Sequence, residues 1–221
     1  MSKIDFFKFE DTGIDFPFYG PDYFPLNTYL KIIVLGLSII TIFILSGTLI
    51  GTVVSLFLLA YVSNWDLSSI IKKPKLKDLK IIIPMLILET IVSFALVFGE
   101  SFTPMYAIHI PVIQNSSEII EILDFVFGIF GEELVKITIL LFIAYIIYGL
   151  SHNRKLSIII GSFISLTVFG LLHYPVYNDV IHCILLGYTS IFTLFTYLKT
   201  KNALSSYTVH IIYDIIIFLL I

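Results

Sequence analysis

The chain has 221 residues, 58% of them hydrophobic and only 13% charged, with a net charge of −3 and a mean hydropathy of +1.01. A soluble domain of this size carries about 45–50% apolar and about 25% charged residues, so the composition specifies a polytopic membrane protein. No basic stripe with interleaved aromatics is present, which excludes nucleic acid as a partner, and the single cysteine, Cys183, excludes an intrachain disulfide framework or a multi-cysteine metal site.

In chain order, residues 1–28 lack the apolar core of a signal peptide and mix acids (Asp5, Glu10, Asp11, Asp15, Asp22) with Phe and Tyr. That mixture predicts an N-terminal interfacial segment, because aromatic rings anchor at the membrane–water boundary. Residues 29–221 form one transmembrane domain. A spanning helix needs roughly 20 mostly apolar residues. The first apolar region, 29–63, is read as two helices meeting near Ser46-Gly47-Thr48, with one long tilted helix as the alternative. Apolar regions follow at 81–98, 119–150, 156–173, 181–198 and 204–221. The fold class is therefore all-α: a polytopic bundle of six to seven or eight helices around a central polar cavity. As one helix, 119–150 would be about 48 Å long against a hydrocarbon core of about 30 Å. Residues 118–127, which carry Glu118, Glu121 and Asp124, are accordingly read as an interfacial lead-in, with the buried helix starting near Gly128.

Charge placement predicts orientation. Lys72, Lys73, Lys75, Lys77 and Lys80, the Arg154-Lys155 turn, and Lys199 with Lys201 are basic, whereas 100–117 and 174–180 contain no Lys or Arg. The positive-inside rule places 72–80, 154–155 and 199–201 in the cytoplasm of a multi-pass cell-membrane protein.

Three polar fragments interrupt these apolar segments: Glu132-Glu133-x-x-Lys136, Phe169-x-x-x-His173 and His210-x-x-x-Asp214. Ionisable groups at membrane depth are costly and mark functional sites by default. Glu132 and Lys136 lie four apart and can pair on one helix face. Glu133 points about 100° away, so one glutamate can enter a cavity while the other supports the helix or orients a neighbour. A buried Glu–Lys pair that only fixes packing is the bland alternative. His210 and Asp214 also share a face, which suits two ligands for one divalent ion, or an acid orienting an imidazole. His173, just before Pro175, draws its meaning from the other two fragments. Glu89, mid-span, either lines the cavity or partners Lys136. His182 and Asp179 are assigned to the interface, His109 and His152 to loops, and Asn115-Ser116-Ser117 is a formal glycosylation triplet. Glu132 and His173 lie at comparable chain distances from the Arg154-Lys155 turn, hence at similar depth. His210 lies so soon after Lys201 that straight helices leave it shallower by on the order of 15 Å, unless the last helix is displaced or the basic turn sits deep.

The order of these fragments on successive late spans resembles the CAAX-protease and bacteriocin-processing family, also called Abi, over residues 131–214. Phe169-Gly-Leu-Leu-His173 and Gly187 carry part of the likeness. The usual first motif of that family is Glu-Glu-x-x-x-Arg, whereas this chain has Lys136 and then Ile137. Glu-Glu-x-x-Lys with His-x-x-x-Asp is also similar to the PrsW-type membrane proteases, which usually carry Glu in the middle motif. The resemblance implies an intramembrane endopeptidase acting on a peptide or membrane-protein substrate in the bilayer. Prenylated C-terminal peptides, bacteriocin leaders and anti-sigma factors are the implied substrates. It assigns Glu132 and His173 to activating the attacking water, Glu133 as the accompanying acid, His210 and Asp214 to completing the site, and Lys136, Phe169 and Glu89 to its support. Beside His173 and His210, Asp214 would complete a facial set with Glu132 for Zn²⁺, which slightly favours a metal over a bare glutamate mechanism. The competing readings are an inactive protease-like immunity or scaffolding protein, suggested by the missing Arg at 137, and a small transporter using Glu89, Glu132 and Lys136. The absence of an inverted repeat argues against the transporter.

Overall fold

The computed structural model describes residues 49–62, 65, 67–98 and 118–220. The expected interfacial segment 1–28, the Ser46-Gly47-Thr48 break, His109 and the Asn115 triplet lie outside them. Among the described residues every regular element is helical: α1 Leu49–Val62, two single 3₁₀ turns at Leu67–Ser69 and Leu76–Asp78, α2 Leu79–Phe98, α3 Glu118–Ser151, α4 Arg154–Leu171, α5 Tyr174–Tyr177, α6 Val180–Thr189, α7 Ile191–Thr200 and α8 Ala203–Leu220. Three stretches are long and apolar enough to cross a membrane: Phe125–Ser151, Arg154–Tyr177 and Val180–Thr200. The apolar helices Leu49–Tyr61 and Ala203–Ile217 are shorter. The chain is an integral membrane protein.

The 34 residues of α3 form one unbroken helix. Its character changes where the charge pattern does. Ile122, Leu123, Phe125 and Phe127 are exposed, while Gly128, Ile129 and nearly every residue from Gly131 to Leu141 are buried. The lead-in and the buried helix are therefore one rod, in which only the second part is surrounded by neighbours. The main core joins Leu134, Ile137, Leu140 and Leu141 of α3 to Ile158 and Leu166 of α4 and to Leu194 and Tyr197 of α7. On α2, Ile82, Met85, Glu89 and Ser93 are buried at helical spacing, whereas Ile83, Ile87 and Ile91 are exposed. The exposed face is apolar, as a lipid-facing surface should be.

Glycines set the closest approach in the bundle. A Cβ on Gly170 would stand 2.1 Å from the Cys183 carbonyl oxygen, and one on Gly187 would stand 2.2 Å from that of Leu166. Only hydrogen at both positions allows α4 and α6 to meet backbone to backbone, the small-residue contact that drives helix association in lipid.

The expected single helix at 181–198 is divided at Ser190, which closes α6 and opens α7. Lys201 then turns the chain in a left-handed conformation (φ 51°). This turn lies inside the protein. Lys201 is 3% exposed and Asn202 2%. The Asn202 Oδ1 accepts from the Lys72 amide at 2.9 Å, and the Ala203 amide donates to the Ile70 carbonyl at 2.8 Å. Within the bundle, His210 of α8 nonetheless reaches Glu133 of α3, at 2.7 Å between Nδ1 and Oε1.

Candidate active site

Glu133 is completely buried, and its carboxylate is the hub of the polar cluster. Its Oε1 accepts from Lys136 Nζ at 2.7 Å and from His210 Nδ1 at 2.7 Å, and its Oε2 contacts the Ser206 hydroxyl. Lys136 Nζ also donates to Thr193 Oγ1 at 2.6 Å and lies 4.6 Å from the centre of the Phe169 ring. Ser206 Oγ is 2.7 Å from the Thr193 carbonyl oxygen. Four helices, α3, α4, α7 and α8, thus meet at one ion pair. Such a pair survives burial only when its remaining lone pairs and protons are also satisfied, and the Ser206, His210 and Thr193 contacts do that.

Lys136 therefore pairs with Glu133, three residues back. The expected pairing with Glu132 does not form, because Lys136 turns toward Glu133, Thr193 of α7 and the Phe169 ring. The two glutamates therefore differ: Glu133 is buried and engaged by Lys136 and His210, whereas the side chain of Glu132 is 26% exposed. Ile137, where the usual motif has Arg, is fully buried in the apolar core.

An ionised carboxylate only accepts, so in the His210–Glu133 contact the proton belongs to Nδ1. The opposite nitrogen, Nε2, faces two acids. Glu132 Oε2 is 3.9 Å away and Asp214 Oδ2 is 3.6 Å away. The side chains of these acids are 26% and 29% exposed, against 10% for His210 and none for Glu133. The cluster is thus graded from a locked inner acid to two outer acids that retain access.

His173 sits beyond the end of α4 as the residue that caps the short α5, with Pro175 in the first turn. Its Nδ1 is 3.0 Å from the Phe169 carbonyl oxygen. A carbonyl only accepts, so Nδ1 carries hydrogen and Nε2 is the free ring nitrogen. The ring meets Phe169 edge-on, with centroids 5.0 Å apart, and lies 6.4 Å from Tyr177. Tyr177 is within electrostatic reach of Glu132 and Asp214. His173 therefore belongs to the same neighbourhood, but it makes no ion pair with a carboxylate among the described residues, and Tyr177 stands at its side.

Several participants escaped the sequence reading. Ser206, His210 and Asp214 recur every four residues on α8, a polar stripe legible once Ser206 is included. Thr193 and Tyr177 gave no such signal, since only tertiary packing brings them in. Asp179 caps α6 by accepting from the His182 amide at 2.9 Å, and His182 is 2% exposed against the Tyr177 ring. The side chain of His182 is buried within the protein. Glu89 of α2 is 3% exposed and within electrostatic reach of His210, Lys136, Glu133 and Asp214. Lys136 is already engaged by Glu133 and Thr193, so Glu89 is not its hydrogen-bonding partner.

Among the described residues no three His, Cys, Asp or Glu groups are placed to hold an ion. The Glu133 oxygens are occupied, and His173 is turned to Phe169 and Tyr177.

Residues 117–216 match the family model described as type II CAAX prenyl endopeptidase Rce1-like. No curated protein and no solved structure matches the chain. The matched stretch contains Glu132, Glu133, Lys136, Phe169, His173, His210 and Asp214. Over these residues the chain is similar to the Rce1-like type II CAAX prenyl endopeptidases, proteases that hydrolyse peptide bonds.

Proposed function

We propose that the protein is an intramembrane endopeptidase in which Glu132 is the general base. The observation that carries this reading is the asymmetry of the adjacent glutamates. Glu133 has both oxygens occupied, whereas Glu132 is partly accessible and lies beside His210 Nε2. A base must reach the proton that it abstracts, directly or through one water. A water between Glu132 and His210 meets that requirement.

In the proposed reaction Glu132 takes one proton from the water, with the free Nε2 of His173 as a second acceptor nearby. The water oxygen bonds to the peptide carbonyl carbon, and the carbonyl π pair moves to its oxygen. His210 in its protonated form offers Nε2–H to that oxyanion, the preorganised donor that acyl transfer needs. Collapse re-forms the carbonyl and breaks the C–N bond, and Glu132 returns its proton to the leaving amine. Glu133 holds the His210 ring through Nδ1, and Asp214 steadies its other edge. No step in this scheme runs through a metal.

The substrate proposed for first trial is a prenylated C-terminal peptide, the class printed in the family description. Bacteriocin leaders and anti-sigma factors are the further candidates. The protein is placed in the cell membrane with 72–80, 154–155 and 199–201 cytoplasmic, on charge asymmetry. The deciding experiment is cleavage of fluorogenic peptides by protein in lipid nanodiscs. Glu132→Gln and His173→Ala should each cut the rate by about 10²-fold or more, the scale of general acid–base catalysis. Wild-type rates in both variants would remove the assignment. Peptide binding without cleavage by the wild type would establish the immunity or scaffold reading suggested by Ile137.

A further inference from the structure

One buried polar pair remains outside the cluster. Glu89 and Ser93 lie four apart on the buried face of α2, at 3% and 1% exposure. Glu89 Oε2 and Ser93 Oγ are both shielded from solvent, and among the described residues neither has a hydrogen-bond partner. Helical serines ordinarily bond back to the carbonyl four residues earlier, as Thr90 does to Leu86 at 2.8 Å. Ser93 does not. Two adjacent orphaned oxygens are rare in a native interior, where buried polar atoms are satisfied by protein or by ordered water. Any such atom left unmet costs free energy.

Two polar atoms at i and i+4 are enough to hold a buried water, which typically makes two to four hydrogen bonds. Glu89 also lies within electrostatic reach of His210, Lys136, Glu133 and Asp214, so the niche borders the proposed catalytic cluster. Each peptide-bond cleavage consumes one water, and the exposed flank of α2 (Ile83, Ile87, Ile91) is apolar. A hydrolase embedded in lipid therefore needs an internal polar site that keeps water beside the reaction.

We propose that Glu89 Oε2 and Ser93 Oγ form a water-holding niche that supplies the hydrolytic site from the α2 side. Glu89 is thus a positioning residue for water, not a group that attacks substrate. The inference rests on the protease reading for its purpose but not for its existence.

The test pairs a structural readout with a kinetic one. Hydroxyl-radical footprinting labels side chains next to bound water. Met85 lies one turn before Glu89 on the same face, is 7% exposed, and carries an oxidisable thioether. Met85 should be labelled in the wild type despite its burial, and at least fivefold less in the double variant Glu89→Leu/Ser93→Ala. The double variant should keep or raise its melting temperature, because two orphaned oxygens are removed. Its kcat should fall at least tenfold with KM unchanged. The control Glu89→Gln keeps a polar atom in place and should retain labelling. Equal Met85 labelling in wild type and double variant overturns the niche, as does an unchanged kcat in the folded double variant. If the wild type cleaves no peptide while the labelling difference persists, the niche stands and the protease reading fails.

Discussion

Glu133 Oε1 accepts from His210 Nδ1 across 2.7 Å, joining α3 to α8 over 77 positions of sequence. The same oxygen accepts from Lys136 Nζ. One fully buried carboxylate therefore sets both the tautomer of His210 and the resting place of a buried cation.

Removing that carboxylate should be costly. Glu133→Ala leaves Lys136 buried without its counter-ion, and breaking a buried pair costs about 3–5 kcal/mol. Thermal unfolding in detergent checks this. The double variant Glu133→Ala/Lys136→Met removes both charges and should recover most of the stability but not the cleavage activity, since His210 remains unheld.

Ser206→Ala deletes one contact to Glu133 and the link to the Thr193 carbonyl. Hydrogen bonds to charged groups contribute about 1.5–3 kcal/mol, so a loss of that order is expected on chemical denaturation. Ser205→Ala is the neighbouring control: the Ser205 hydroxyl accepts from Asn202 Nδ2 at 3.0 Å and has no contact with Glu133. It should leave cleavage unchanged.

Gly187→Ala should weaken the bundle. The added methyl would meet backbone on α4, where nothing flexible can give way. Overpacking of this kind costs typically about 1–3 kcal/mol. Gly149 meets nothing within 4 Å, so Gly149→Ala should be tolerated. Melting temperatures of the two variants in the same detergent make the comparison.

Chelation addresses the metal. With Glu132 as the general base and no metal in the proposed scheme, cleavage should survive dialysis against a chelator, and elemental analysis should find less than one zinc per chain. Stoichiometric zinc, with activity lost on removal and restored on return, would reinstate the metal-assisted route expected from sequence.

Much of the site was legible from the sequence. Glu132, Glu133, Lys136, His210 and Asp214 stood out because charge inside hydrocarbon carries a large desolvation cost, which a single sequence displays directly. Phe169 and His173 stood out only through the family likeness, and the Phe169 ring meets both Lys136 and His173. Thr193 and Tyr177 were not legible, because a threonine or tyrosine in an apolar helix is ordinary until another helix brings a charge against it.

The sequence by itself determined an all-helical integral membrane protein, the order of its polar fragments and hence the resemblance to a protease family. Those properties follow from composition and local spacing, which need no knowledge of what touches what. Only the tertiary structure decided which glutamate is locked and which is accessible, and that Lys136 turns to Glu133. It alone showed that His210 of α8 meets Glu133 of α3. Those outcomes depend on which side chains from distant segments share a low-dielectric space, where a few ångströms separate a paired charge from an orphaned one.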